Sequence, residues 1–228
     1  MKKTLRLDLY QETACYKKPM AFKVGETYPL PPYSTVKGML HALIDATSFI
    51  PMRISVQGKY DSQFVDYQKH YLFKKLNHPD FPLILDGVWD GYKLSEIEAM
   101  PLYVHLLYDV TLVIHVEAEE EIIEKIIAAI DNGKQISLGR WEDLVRIDNY
   151  EIVEVNEAEE GKNKYPIYIP KEKLDDSIIY VPYSLNWKYE IVHGIRKWEK
   201  ILVGYVQENE EFEECLVDSY GDIVFYNV

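Results

Sequence analysis

Residues 67–79 read YQKHYLFKKLNHP, with Lys69, Lys74, Lys75, His70 and His78 interleaved with Tyr67, Tyr71 and Phe73 and no acidic residue. Cations for phosphates set between rings for bases are what an unpaired nucleic-acid strand asks of a surface. A hairpin whose rings pack inward and whose lysines are merely hydrated has the same composition, and both readings stand. Lys69, His70 and Tyr71 also supply the side chains for metal-free general acid and base work in RNA cleavage, although their spacing sets no geometry.

Two further stretches carry chemistry. Residues 137–148 read SLGRWEDLVRID. There Gly139 frees the backbone for a tight turn and close ligand approach, Arg140 offers a fork to phosphate, and Trp141 offers a ring to stack on a base. Glu142 and Asp143 are equally placed to hold Arg140 in a local pair. Residues 31–45 read PPYSTVKGMLHALID, a proline-fixed segment turning into a helix. Ser34 is the expected N-cap, Thr35 follows it, Lys37 adds charge to a helix start that already favours anions, and Gly38 costs the helix about 1 kcal/mol relative to alanine. A well-capped helix with Gly38 packed closely against a strand accounts for the same residues.

The remaining motifs exclude more than they suggest. The Gly-Lys pairs at Gly58, Gly133 and Gly161 lack a phosphate-binding loop, the six histidines follow no metal spacing, and Cys15 and Cys215 stand alone. Reduced thiols, no metal and no cofactor are expected. With no apolar run long enough to span a bilayer and no apolar core behind the first residues, a cytoplasmic protein is expected.

A net charge of −13 argues against a generic nucleic-acid binder. The acids are clustered, however: Glu117 to Glu124, Glu151 to Glu160 and Glu208 to Glu214. Without those 15 carboxylates, 23 acids face 25 basic residues. A separate anion-binding face is therefore permitted, although acidic runs are usually solvated surface.

Elements must hold these stretches in place. Leu5, Leu7 and Leu9 alternate as a strand, and a long connection over 12–30 has a short extended piece around 21–24. Val36, Met39, Leu40, Leu43 and Ile44 form one stripe of a helix over 34–46, and Met52, Ile54 and Val56 mark a second strand. Residues 103–116 alternate as a third strand, and Ile122, Ile123, Ile126, Ile127 and Ile130 stripe a second helix closed by Asn132 and Gly133. A last strand is expected over 143–148, running on toward 155. Strand, helix, strand, excursion, strand, helix, strand is the order of an α+β, ferredoxin-like (RRM-like) split β-α-β domain over 1–155, with both helices on one face. The excursion at 61–100 is expected as a long inserted hairpin, residues 156–164 as a linker, and 165–228 as a small β-rich C-terminal lobe with a turn at Ser219-Tyr220-Gly221-Asp222.

PPYSTVKGML opening the first helix and SLGRWEDLV leading into the last strand resemble the Cas five family of CRISPR-associated proteins, part of the repeat-associated RNA-binding superfamily. That resemblance implies a non-catalytic subunit of a type I surveillance complex, of I-B texture. Such a subunit grips the five-prime handle of the crRNA, inserts an extended thumb hairpin, and docks the backbone and large subunits. It places Ser34, Thr35, Lys37, Gly38, Gly139 and Arg140 near the guide, while Trp141 departs from the small or polar residue expected there. The type I-C branch of the family cleaves precursor RNA itself, so a metal-independent endoribonuclease is the alternative. A ferredoxin-like interaction protein without RNA is the third reading.

Overall fold

The computed structural model describes residues 2–21, 24–73, 97–175 and 177–227. Its first half follows the hydrophobic periods. Strand β1 (Lys2–Ala14) buries Leu5, Leu7 and Leu9 on one face. A two-residue strand β2 (Val24–Gly25) lies in the long connection that follows, and helix α1 spans Tyr33–Leu43. Strand β3 (Arg53–Lys59) is next, then β4 (Ser62–Phe73) and the long β5 (Ile97–Glu119), which pair in register from Ser62↔Tyr108 to Phe73↔Ile97. The described part of the excursion is thus an antiparallel hairpin. Lys74 and Lys75, expected as site residues, lie outside the described residues, as does His78.

Helix α2 (Glu120–Asp131) has Glu120 and Glu121 in its first turn, where carboxylates favour the positive end of the helix. Gly133, at φ +70°, donates to the Ile130 carbonyl and Lys134 to that of Ala129, the bond pair of a Schellman cap. Strand β6 (Arg146–Val153) begins three residues later than expected, because residues 137–145 form a closed loop.

The start of α1 differs from expectation. Pro32 is the N-cap residue and no side chain caps the helix; its carbonyl accepts from the N–H groups of Thr35 and Val36. Ser34 therefore sits inside the first turn. The helix begins one residue earlier because Tyr33 is fixed in the core, wholly buried with its ring edge-on to Tyr168.

Residues 155–228 also depart from the expected linker and lobe. The acidic stretch expected as a linker is strand β7 (Val155–Lys162). Strands β8 (Ile167–Pro170), β9 (Tyr180–Val192) and β10 (Ile195–Val206) extend the first sheet, whose order is β6-β1-β5-β3-β8-β10-β9, with β2 and β4 added on β5. Strands β11 (Glu211–Asp218) and β12 (Ile223–Val224) join β7 in a second, three-stranded sheet, and Gly221 at φ +72° makes the expected turn between them. Residues 165–228 are therefore split between two sheets, and β8 continues the first sheet at Gln57↔Ile167.

The central strands of the first sheet, β1, β5 and β3, are covered on both faces. Val36, Met39, Leu40 and Leu43 of α1 and Ile123 and Ile126 of α2 pack with Leu5, Leu7, Leu9, Ile54, Val56, Leu112 and Ile114 in the main core. On the other face Arg6, Ser55, Gln57 and His115 are buried against the second sheet and the chain end, with Gln57 donating to Ile223 O at 3.0 Å and Ser55 Oγ accepting from Phe225 N at 3.1 Å. The architecture is strand-dominated α+β. Among the described residues no helix is long and apolar enough to cross a membrane.

Candidate nucleic-acid interface

The loop at 137–145 is held by the chain around it. The Leu138 N–H donates to Asp143 O, Asp143 N–H to Arg140 O, and Val145 N–H to Ile136 O. Gln11, at the end of β1, donates through Nε2 to Leu138 O at 2.9 Å and Asp143 O at 3.1 Å, while Tyr16 Oη donates to Gln11 Oε1 at 2.7 Å. Gly139 has φ +114°, and a Cβ there would lie 2.7 Å from Asp143 Oδ2 and 2.9 Å from Cys15 O. Its glycine is required by the protein's own packing.

Asp143, fully buried, is the centre of this loop. Its Oδ2 accepts from Cys15 N at 2.9 Å and Arg140 N at 2.8 Å, and its Oδ1 from Arg140 Nη2 at 2.7 Å and Nε at 3.1 Å. Arg140 Nη1 is 2.9 Å from Glu142. The guanidinium fork is thus taken up locally, and the two carboxylates hold Arg140 more firmly protonated against the opposing effect of its partial burial. Trp141 projects from the same loop with 86% of its surface exposed.

On the β4–β5 hairpin the register puts Tyr67 opposite Tyr103 and Lys69 opposite Pro101. Directly paired residues share a face, so Tyr67, Lys69, Tyr71 and Tyr103 lie on one side. The Tyr67 and Tyr103 rings meet edge to face with centroids 5.5 Å apart, and both are about half exposed. His70 projects from the opposite face, so strand geometry separates it from Lys69 and Tyr71 and does not assemble the acid-base trio. Tyr103 escaped the sequence reading; only the fold-back of the hairpin pairs it with Tyr67.

Cys15 connects loop and hairpin. It touches the loop through Asp143 and packs with Leu102, Val104 and Leu106 of β5. The structure therefore brings the Gly139 loop against the base of the hairpin. Lys37 is directed elsewhere: its ammonium donates to Trp187 O and lies 4.1 Å from the Trp187 ring centroid and 4.8 Å from that of Phe49. Burial, reinforced by the charge of Lys188, pulls its pKa down to about 8. Ser34 and Thr35 are partly exposed on the first turn.

Gly38 faces open space, with nothing within 4 Å of a Cβ built on it. Close strand packing is not its reason. Gly38→Ala is expected to stabilise the isolated chain by about 1 kcal/mol through helix propensity alone, measured by urea unfolding. A loss of stability would mean that the helix is packed differently there.

The family model described as CRISPR-associated protein (Cas_Cas5) matches residues 4–210. No curated protein matches the sequence. Among solved structures the chain is similar to a "CRISPR RNA-guided surveillance complex" chain, with TM-score 0.53 and 14% identity over 92% of this chain and 91% of that one. It is also similar to one titled "Crystal structure of Cas protein", with TM-score 0.51 and 14% identity over 92% of this chain and 96% of that one. At such identity the likeness is one of fold.

Proposed function

The chain belongs to the CRISPR-associated protein (Cas_Cas5) family, and from that premise we propose that it is a non-catalytic, cytoplasmic subunit of a CRISPR RNA-guided surveillance complex. In this reading it binds the five-prime handle of the crRNA and docks the backbone and large subunits. The strand order β6-β1-β5-β3, all neighbours antiparallel, with α1 and α2 packed together, supports a ferredoxin-like, split β-α-β unit at its centre.

One observation carries the RNA reading. The β4–β5 hairpin presents the Tyr67–Tyr103 ring pair and Lys69 on one open face, in a protein whose net charge of −13 repels polyanions. Rings and a cation in that setting favour unpaired nucleotides. Trp141 offers a separate exposed ring, on the loop that Cys15 joins to the Leu102, Val104 and Leu106 side of β5, opposite Tyr67 and Tyr103. The acids are gathered elsewhere: β7 and β11 place Glu160 directly opposite Glu213, and the end of β5 together with α2 takes the first cluster. Like charge on those elements suits basic partner surfaces and discourages stray RNA.

The test uses fluorescence anisotropy with a labelled synthetic handle RNA and a scrambled control. Tyr67→Ala with Trp141→Ala is expected to weaken handle binding by about 30-fold or more, since each stacked ring contributes about 1–3 kcal/mol and two are lost. Lys69→Gln should reduce the salt slope by about 1. Handle RNA bound no better than scrambled RNA by the wild type would overturn the reading. Metal-free cleavage of repeat RNA that vanishes in His70→Ala would replace it with the endoribonuclease.

A further inference from the structure

We propose that the outer face of the β9–β10 hairpin is a second binding site, for an unpaired nucleotide strand. Residues 187–200 read WKYEIVHGIRKWEK, a second concentration of rings and cations in this acidic chain. The register makes it more specific than composition does. Tyr189 pairs with Trp198 and Ile191 with Arg196, so these four side chains share one face. Lys188 pairs with Glu199, Glu190 with Lys197, and Val192 with Ile195, and these share the other.

Both carboxylates of the tip are therefore on one face, where Lys188 meets Glu199 at 3.0 Å. The Tyr189 face has no acid. Its rings meet edge to face with centroids 5.0 Å apart, and the Arg196 guanidinium stands 4.6 Å over the Tyr189 ring. Lys200 and Leu202 continue the same side of β10, alternating with the buried Ile201 and Val203.

That side is also open. Tyr189 is 43% exposed, Ile191 69% and Leu202 56%, and among the described residues β9 pairs only with β10, so no further strand flanks it. A sheet face bearing rings takes bases by stacking, as aromatic-bearing sheets do for single strands, while Arg196 and Lys200 lie in reach of the phosphates between them. The exposed aliphatic side chains widen the apolar floor on which a base rests. Neither hairpin nor ring pair belongs to the Tyr67 interface, so the site does not depend on the handle reading. The shared chemistry is an unpaired strand, whether RNA or DNA.

The probes are labelled oligouridylate, oligothymidylate and a DNA duplex, each about one turn of helix long. They are titrated in anisotropy against the full chain carrying Tyr67→Ala and Trp141→Ala, which silences the first interface. Adding Tyr189→Ala and Trp198→Ala is expected to weaken single-strand binding by about 30-fold or more and to leave the duplex little changed. Arg196→Gln with Lys200→Gln is expected to lower the salt slope by about 1–2. A preference for the uridylate would identify the ligand as RNA, and one for the thymidylate as DNA. Unchanged affinity and slope in folded variants would overturn the proposal. So would variants that bind both oligonucleotides normally but no longer join partner subunits, since the face would then be a protein dock. Handle binding by the otherwise native chain separates either failure from failure of the first interface.

Discussion

Asp143→Ala is expected to lower the stability of the chain by about 3–5 kcal/mol, the range for removing one partner of a buried ion pair. The carboxylate is wholly buried and satisfies two backbone N–H groups, those of Cys15 and Arg140, besides the Arg140 guanidinium. Alanine would leave both N–H groups without their acceptor, at about 1–3 kcal/mol each where water cannot reach. Arg140 would keep only Glu142 and, being partly exposed, could turn to solvent, which holds the total within that range. Asp143→Asn retains one acceptor oxygen and should cost markedly less. Equilibrium unfolding in urea distinguishes the two. The same variant reports on function, because Trp141 projects from the loop that Asp143 closes, so handle affinity should fall together with stability. A stability loss below about 1 kcal/mol would show that the loop is not anchored through this carboxylate.

That anchor was half legible in the sequence. Asp143 stood as one of two acids able to pair with Arg140, but its bond to Cys15 crosses 128 positions and no local pattern announces it. The elements themselves were readable wherever one face is apolar. Leu5, Leu7 and Leu9 and the α1 and α2 stripes all appear on the sides their periods require. What those periods do not announce is that the polar side of such a strand is covered as well. Arg6 and His115 look like solvent positions beside Leu5 and Ile114, yet the last residues of the chain return to cover them. Strand β7 was missed for a related reason. VNEAEEGK is poor in strand-forming residues, and it is a strand because β11 pairs with it from Val155 to Lys162. Lys37 likewise reads as a cation offered at a helix start, and only the long-range arrival of Trp187 turns it inward.

The cover over Arg6 and His115 leads to the other large effect: Asp218→Asn is expected to destabilise the chain by several kcal/mol at neutral pH, with a gap from wild type that closes in acid. The Asp218 side chain is inaccessible to water. Its Oδ2 accepts from Arg6 Nη1 at 2.5 Å and His115 Nε2 at 2.9 Å, and its Oδ1 from the N–H groups of Tyr220 at 3.0 Å and Asp222 at 2.8 Å. Burial alone would raise this carboxyl, but the bonds from His115, the Asp222 N–H and Arg6 outweigh it and hold the group well below the ordinary 3.8. A depressed folded value means that the stabilisation is fully present above the unfolded value and is lost as pH falls toward the folded one. The amide keeps the Tyr220 and Asp222 contacts and loses the charge that Arg6 requires. Arg6 then retains Asp8 and Asp222, the latter itself paired with Lys164, while His115 has no second partner among the described residues, since its Nδ1 is already unsatisfied. Urea unfolding of both proteins across a pH series should therefore give a constant difference above about pH 5 and a shrinking one below about pH 4. A difference that stays level down to about pH 3 would mean that the Asp218 charge contributes nothing to holding the second sheet on the first.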